Sequence, residues 1–181
     1  DIELSLQQKK ILGEKGFLQA IIEQRRSTRI KNENLRRSKT IEAAKNDFKE
    51  LSLNKLFLLG IALYWGEGQK KTKGVVGFDN SDPAAIQVMM RFFKEICLAP
   101  ENKFRGYIHI HPHLDNKKAE LYWSHISGIP LNYFYKTYRI PPKSSQNKKD
   151  TLPNGTFRIS ICNSELLLKI HGWILAAKEN M

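Results

Sequence analysis

Residues 56–70 read LFLLGIALYWGEGQK and form the longest apolar run of the chain. Ten apolar or glycine residues open this stretch, and one carboxylate, Glu67, then stands between two glycines. Because residues 53–66 are apolar on every side, they predict a fully buried helix, for which Ser52 is a suitable N-cap. The run is about half as long as a bilayer-spanning helix, so no membrane partner is expected.

Glu67 lies where the predicted helix ends. A carboxylate at that position is close to the negative pole of the helix dipole and is unfavourable unless a cation compensates it. The next cations along the chain are Lys70, Lys71 and Lys73. One of them could form an ordinary helix-end ion pair with Glu67. A bound Mg²⁺ is the alternative, because hard cations take carboxylate and carbonyl oxygens as ligands.

The composition indicates a folded protein with an acidic partner. The chain has 181 residues, 41% of them hydrophobic, and its formal net charge is +12. A chain this basic more often binds nucleic acid than a membrane surface, although a merely basic protein is the plain alternative. Cys97 and Cys162 lack zinc-type spacing and predict reduced core thiols in an intracellular, cytoplasmic protein.

Two regions differ in composition. Residues 1–50 begin with an apolar stripe at residues 11–22, and residues 24–39 then carry seven Lys or Arg against one Glu. A segment this polar cannot bury a face, so residues 1–50 predict a basic helical N-terminal arm. Residues 51–181 alternate apolar-periodic segments with turn residues and predict the folded domain.

That domain is expected to be α+β. Its patterns predict helices and strands in alternation, with a basic loop over residues 141–155. The predicted helices cover residues 53–66, 83–97, 116–127 and 164–178, and the predicted strands cover residues 73–80, 104–111, 133–140 and 156–162. This order favours one mostly antiparallel sheet with its helices packed on one face.

One face of the predicted sheet is polar. In residues 104–113, apolar side chains alternate with Arg105, Tyr107, His109 and His111, and Arg158 occupies the same kind of position in the last strand. Cations, imidazoles and phenols suit phosphates and base edges. A solvated sheet face with no ligand is the alternative interpretation.

The histidines also allow a metal site. His109, His111, His113 and Asp115 alternate along the chain, and alternate side chains of a strand point the same way. Two or three of them could share a zinc ion. We expect a polar strand face rather than a zinc site.

Residues 60–68, GIALYWGEG, resemble the LAGLIDADG motif of homing endonucleases. Ala62 and Gly66 fall on the small packing positions of that motif, Glu67 on its metal-binding acid and Gly68 on its terminal glycine. The stretches YWGEGQK, FDNSDP and HGWIL are similar to a bacterial single-motif branch of the family. The resemblance covers roughly residues 51–180 and implies a LAGLIDADG-like sheet.

In that family the motif helices of two halves pack together, so a single motif implies a homodimer that crosses at Ala62 and Gly66. Small residues four apart allow such a close approach of two backbones. The resemblance also implies Mg²⁺ or Mn²⁺ held by Glu67 and backbone oxygen near Gly68, for hydrolysis of double-stranded DNA. The alternative is a monomer in which residues 6–23 cover the apolar helix.

Catalysis in this scheme needs a charge-stabilising group, and Lys70 or Lys136 is the candidate. The arm arginines would bind backbone phosphates, and the residues of the sheet would read or position the DNA. The DNA contacts that the resemblance implies are Arg25, Arg26, Arg29, Arg36, Arg37, Lys71, Lys73, Arg105, Tyr107, His109, His111, Arg139, Lys143 and Arg158.

The chain departs from the motif at two positions. Gly60 stands where the motif has Leu, and Trp65 replaces the first acid. LAGLIDADG folds also occur in transcription regulators that do not cleave DNA, because a fold does not determine an activity. A non-catalytic DNA-binding regulator is therefore the second hypothesis, and an RNA-binding or scaffolding module is the third.

Overall fold

The computed structural model of the chain describes residues 5–70, 74–139 and 152–180. Its internal contacts divide the chain into unit 1, residues 1–40, and unit 2, residues 41–181. The division lies earlier than the change of composition at residue 50, because Ala44 is buried and Phe48 packs against the core of unit 2. No helix in the described ranges is long and apolar enough to span a membrane.

The first helix, α1, runs Leu6–Leu51 and supplies all the described structure of unit 1. Its apolar side chains within unit 1 are largely exposed, and Phe17 and Leu18 keep 69% and 58% of their surface. The Glu33 carboxylate accepts hydrogen bonds from Arg36 Nε and Nη2 at 3.0 and 2.9 Å. Such an exposed i, i+3 pair is screened by water and adds little to the stability of the helix.

Unit 2 alternates helices and strands, as an α+β domain does. Its helices are α2 Lys55–Glu67, α3 Pro83–Arg91, α4 Asn116–Ser127 and α5 Ser164–Glu179. Its strands are β1 Val75–Asn80, β2 Phe104–Ile110, β3 Tyr138–Arg139 and β4 Thr156–Cys162. Asp82 and Asp115 cap α3 and α4 by accepting hydrogen bonds from backbone N–H groups of the first turn.

The strands form one mixed sheet in the order β1-β4-β2-β3. β4 is antiparallel to both β1 and β2, whereas β3 is parallel to β2. Val76, Phe78, Ile108 and Ile159 belong to the buried set of strand side chains that forms the core. The predicted α+β class with a mostly antiparallel sheet is confirmed.

Helix α4 packs on the core side of this sheet. The Trp123 ring stacks on Phe157, with ring centroids 5.2 Å apart and an interplanar angle of 12°. The Trp123 indole Nε1 donates to the Asn154 carbonyl oxygen at 2.7 Å, so its one polar group is satisfied as well. This contact ties α4 to the turn before β4.

Helix α2 differs from its prediction in two respects. Asn54, and not Ser52, is the N-cap, because the Asn54 side chain accepts from the backbone N–H groups of Leu56 and Phe57. The prediction of full burial is wrong: Leu58 and Leu59 keep 47% and 49% of their surface. Unit 2 covers only one side of this helix.

The covered side of α2 makes a close contact at Gly60. A Cβ built on Gly60 would lie 2.2 Å from the Phe92 ring, so only glycine fits there. Phe92 itself begins a π-turn, Phe92–Ile96, that replaces the last part of the predicted helix over residues 83–97. The π-turn carries Phe92 and Phe93, which are both fully buried, into the core.

The segment after α4 is less regular than predicted. Instead of a strand over residues 133–140, a 3₁₀ turn forms at Leu131–Tyr133 and, within the described part of this segment, only Tyr138–Arg139 pair as a strand. Pro130 precedes this tight turn, and Phe134 then packs over Gly106, where a Cβ would lie 2.7 Å from the ring. The close approach of Phe134 explains why Gly106 has no side chain.

The two cysteines lie in different environments. Cys97 packs against the core, and burial raises the pKa of its thiol well above the ordinary value. Cys162, at the end of β4, is exposed, so the prediction of a second core thiol is wrong. The residue ends the alternation of β4 on its outward side.

Candidate nucleic-acid interface

The face of the sheet away from the core carries the polar side chains that the alternation predicted. Along β2 the inward residues are buried, and Arg105, Tyr107 and His109 between them are partly exposed. Along β4 the same alternation leaves Arg158 and Ser160 partly exposed. Antiparallel pairing places Tyr107 opposite Arg158, so β2 and β4 contribute to one surface.

Aromatic rings connect this surface to the β3 edge. Tyr107 contacts His109 edge to face at 4.6 Å between ring centroids, and Tyr135 at 6.4 Å. His109 contacts Tyr138, its register partner on β3, at 5.7 Å. We refer to Tyr107, His109, Tyr135 and Tyr138 as the aromatic cluster.

An ion pair lies beside the aromatic cluster. Arg158 Nε donates to Asp79 Oδ1 at 2.6 Å, and Gln69 Nε2 donates to Asp79 Oδ2 at 2.8 Å. The Arg158 guanidinium also lies 5.6 Å from the centre of the Tyr107 ring, within the range of a cation–π contact. Asp79 therefore holds the Arg158 guanidinium against the outward face of the sheet, beside the Tyr107 ring.

The chain after α2 joins the outer edge of β1. Gly68 pairs with Phe78 as an isolated bridge, and Gln69 N donates to Gly77 O at 2.8 Å. The Gln69 side chain covers Gly77, where a Cβ would lie 2.5 Å from its amide oxygen. Glu67 is exposed at this junction between helix and sheet.

His109 is the titratable group of the aromatic cluster. Partial burial lowers the pKa of His109 below its ordinary value, and the Arg158 guanidinium lowers it further, while the Asp79 carboxylate partly opposes them. Burial disfavours the charged imidazolium because it removes water from it. His109 is therefore held in its neutral form to a lower pH than a free histidine.

The exposed side of α2 is apolar. Ala62 and Gly66 are exposed together with Leu58 and Leu59, whereas Phe57, Gly60, Ile61 and Tyr64 are buried on the other side of the helix. A Cβ built on Gly66 would meet no atom within 4 Å. The small residues predicted for helix pairing thus lie on a surface that unit 2 leaves open.

The candidate catalytic lysines lie at different places. Lys70 is exposed just after the junction that carries Glu67. Lys136 is exposed in the segment beside β2, at the other edge of the sheet. With strands about 4.8 Å apart, the β1-β4-β2-β3 order separates Lys136 from Glu67 by most of the sheet width, so the fold does not bring them together within one chain.

The other residues predicted to contact DNA differ in where the structure places them. The Arg105 guanidinium turns back to its own loop, donating to the Asn102 and Phe104 carbonyl oxygens at 2.8 Å, and lies 4.8 Å from the Tyr133 ring centre. Arg139 is exposed on β3. Lys71, Lys73 and Lys143 lie outside the described residues.

The histidine run does not form the metal cluster that was the alternative. His111 and His113 follow the end of β2, are exposed, and stack with centroids 6.0 Å apart. Asp115 serves as the cap of α4. Within residues 5–70, 74–139 and 152–180, no group of three or more His, Cys, Asp or Glu side chains could hold a metal ion.

The predicted arginines of unit 1 all lie on the exposed surface of α1. Glu33 neutralises part of the charge of Arg36, as described above, and Glu23 lies 3.7 Å from Arg26. The arginines concerned are Arg25, Arg26, Arg29, Arg36 and Arg37. An exposed helix with this charge is accessible to a polyanion.

Sequence reasoning missed part of the outward face. Asp79 and Gln69 were not proposed, although Asp79 alternates with the buried Val76 and Phe78 of β1. Tyr135 and Tyr138 were missed because their segment is not a regular strand, so no alternation identifies which side chains point outward.

Comparison of the chain with protein-family models, with curated proteins and with solved structures gave no significant match.

Proposed function

We propose that the chain is a homodimeric protein that binds double-stranded DNA through the outward face of its sheet. The observation that carries this proposal is that face, on which Arg158, Tyr107 and His109 lie together in contact. Guanidinium, phenol and imidazole groups suit phosphate oxygens and base edges. The net charge of +12 supplies the general attraction to a polyanion.

The charges on the face favour an anionic ligand. Asp79 is balanced by Arg158 at 2.6 Å, so this pair adds little net charge. Exposed Lys136 and Arg139 lie along the β3 edge of the same sheet. The remaining potential is therefore positive, which attracts a phosphate backbone.

The dimer proposal depends on the exposed apolar side of α2. An apolar stripe opposite the buried side of the helix consists of Leu58, Leu59, Ala62 and Gly66. Exposure of this apolar surface to water is unfavourable. A second copy of α2 would cover the stripe, and Ala62 and Gly66 would let the two backbones approach. Such a contact is isologous, with the same surface used on both subunits.

A second candidate function is hydrolysis of the bound DNA with Mg²⁺ or Mn²⁺. The observation that favours it is the position of Glu67, exposed beside Gly66 where α2 meets the β1 edge. Pairing at Gly66 would bring the Glu67 residues of both subunits close to the dimer axis. Mg²⁺ is commonly held by one or two carboxylates together with substrate phosphates, so this donor set fits the ion.

In this scheme Glu67, with backbone oxygen near Gly68, would hold the cation, and Lys70 would be the nearer of the two candidate lysines to the scissile phosphate. The ion would supply an activated water and stabilise the charge of the transition state. The outward face would hold the duplex in register. If no cleavage occurs, the same surfaces describe a DNA-binding transcription regulator.

Ser160 offers a direct test of DNA binding, because its side chain lies on the outward face of β4. We expect Ser160→Glu to weaken duplex binding by full-length protein at least about 10-fold, since a like charge faces the phosphates. Ala84→Glu is the matched control, since it adds the same charge at an exposed position of α3. Equal effects of the two substitutions on fluorescence anisotropy titrations would contradict binding by this face.

Cleavage is tested by Glu67→Gln. Supercoiled plasmid carrying a bound site should be nicked by the wild-type protein with Mg²⁺ or Mn²⁺, and the variant should bind but not nick. Glu165→Gln, an exposed acid of α5, is the control that should retain activity. A wild-type protein that binds and never nicks supports the regulator instead.

A further inference from the structure

The aromatic cluster includes two tyrosine rings that stay about half exposed, Tyr135 at 54% and Tyr138 at 48%. We infer that the cluster stacks unpaired bases of a DNA strand, an inference that rests on the proposed function. In a duplex the base faces are stacked on each other, and a protein reaches only their edges in the grooves. A ring offered to DNA finds a matching surface only on a base that has left the stack.

The exposed surface of the aromatic cluster supports base stacking. Tyr135 and Tyr138 keep 54% and 48% of their surface, although each touches another ring of the cluster. Tyr107 and His109 are partly exposed between them. The cluster therefore extends from β2 to the β3 edge and presents free aromatic surface along its length.

The cations beside the aromatic cluster also support base stacking. The Arg158 guanidinium lies 5.6 Å from the Tyr107 ring centre and offers a planar cation at one end of the cluster. Lys136 and Arg139 are exposed and adjacent in sequence to Tyr135 and Tyr138. Aromatic platforms flanked by cations bind single strands, since the rings take the bases and the cations follow the phosphates.

A purely structural role explains less. Cross-strand aromatic pairs stabilise sheets, and His109 and Tyr138 are such a pair. Tyr135 also borders β2, because its N–H donates to the Gly106 carbonyl oxygen and its ring contacts Tyr107, but a structural pair does not account for a ring that stays 54% exposed.

The test uses full-length protein and three DNAs of one sequence: a perfect duplex, the same duplex with a two-nucleotide bulge, and the single strand. Affinities are measured by fluorescence anisotropy at one salt concentration. We expect the bulged duplex to bind about 10-fold more tightly than the perfect duplex, which lies within the range for one base stacked on an aromatic ring. A 2-aminopurine placed in the bulge should lose fluorescence on binding, which needs no variant.

Tyr135→Ala and Tyr138→Ala should each remove the fluorescence loss and lower the ratio of bulged-duplex to perfect-duplex affinity toward one, and this ratio is the readout for base stacking. Tyr135→Phe and Tyr138→Phe keep the ring and should keep both signals. Leu121→Ala, an exposed apolar side chain of α4, is the control for loss of surface at a place away from the sheet face.

Equal affinity for bulged and perfect duplex, with no fluorescence change, would overturn base stacking and leave duplex binding intact. Failure to bind any of the three DNAs would overturn the proposed function as well. Tighter binding to a single-stranded RNA of the same sequence than to the DNA strand would overturn the assignment to DNA.

Discussion

Asp79 and Arg158 face each other across the β1–β4 pair, and Arg158 Nε donates to Asp79 Oδ1 at 2.6 Å. Their side chains keep only 24% and 31% of their surface, so water screens this pair less than an ordinary surface pair. The bond holds the guanidinium beside Tyr107. One contact thus links the stability of the sheet to the chemistry of its outward face.

Arg158→Gln should separate these two contributions. The substitution leaves the Asp79 carboxylate without its cation, so the free energy of unfolding should fall by about 1–3 kcal/mol. Duplex affinity should fall several-fold, because a cation leaves the binding face. Denaturant unfolding and fluorescence anisotropy measure the two quantities.

Adding Asp79→Asn provides the control. The double variant should regain most of the lost stability because no unpaired carboxylate remains, but its affinity for DNA should stay low. If the affinity returns together with the stability, Arg158 only neutralises Asp79 and does not contact DNA.

Gly60 and Gly66 make a matched pair within one helix. Gly60→Ala should lower the free energy of unfolding by about 1–3 kcal/mol, as overpacking does, because the new Cβ would lie 2.2 Å from the Phe92 ring. Within a single subunit, Gly66→Ala should be neutral or stabilising by up to about 1 kcal/mol from helix propensity, since nothing in the chain lies within 4 Å of its Cβ. Thermal unfolding of both variants checks the contrast, and a tolerated Gly60→Ala would contradict the α2 packing.

These glycines show what the sequence reveals about α2. Its apolar composition predicted a helix in an apolar environment, and the helix is present. Composition does not indicate whether the same chain or another provides that environment, and within the single chain Leu58 and Leu59 stay about half exposed. Gly60 was noted only as a departure from a motif, although it makes the tight contact with Phe92.

Local signals predicted other parts well. Helix α4 runs Asn116–Ser127, as its periodicity indicated, and Gly128 ends it with φ 69°. The segment from Leu131 to Arg139 was not predictable in the same way. Its path depends on Phe134 packing over Gly106, a contact between residues distant in sequence. For this reason the sequence predicted Tyr107 and His109 of the aromatic cluster but not Tyr135 and Tyr138.

The pKa of His109 makes stability depend on pH. Its folded pKa is lower than its unfolded value of about 6.5, so between the two values the unfolded chain binds more protons. The free energy of unfolding should therefore fall as pH decreases from about 6.5 toward the folded pKa. Denaturant unfolding at pH 7.5 and pH 5.5 should show a larger loss for wild type than for His109→Gln.

His125→Gln, on the exposed side of α4, serves as the control and should keep the wild-type pH dependence. Among the described residues, the charges of Arg158 and Asp79 act on His109, and the rings of Tyr107 and Tyr138 contact it. Equal losses of stability in wild type and His109→Gln would show that His109 does not carry the effect.

Gly66→Leu tests the dimer. Its Cβ has open space within the chain, so a single subunit should still fold, whereas two α2 helices could no longer approach. We expect the wild type to sediment as a dimer and the variant as a monomer. Ala84→Leu, at an exposed position of α3, should stay dimeric. A wild-type protein that remains a monomer at high concentration, alone and on DNA, contradicts the pairing of α2.

The arginines of unit 1 are expected to contact phosphates without reading sequence. A triple variant, Arg25→Gln, Arg26→Gln and Arg29→Gln, should flatten the plot of log affinity against log salt. Each lost phosphate contact lowers the magnitude of that slope by about 0.9 for duplex DNA. The expected change is therefore up to about 3 units, because one counterion fewer is released per contact.

The control for this measurement is the double variant Lys117→Gln and Lys118→Gln, which removes exposed charge from the start of α4. Its slope should remain close to that of the wild type if those lysines do not touch DNA. The comparison distinguishes direct contact from a general loss of positive charge, because general attraction depends on net charge and not on position. Equal flattening in both variants would mean that unit 1 contributes only to the overall field of the protein.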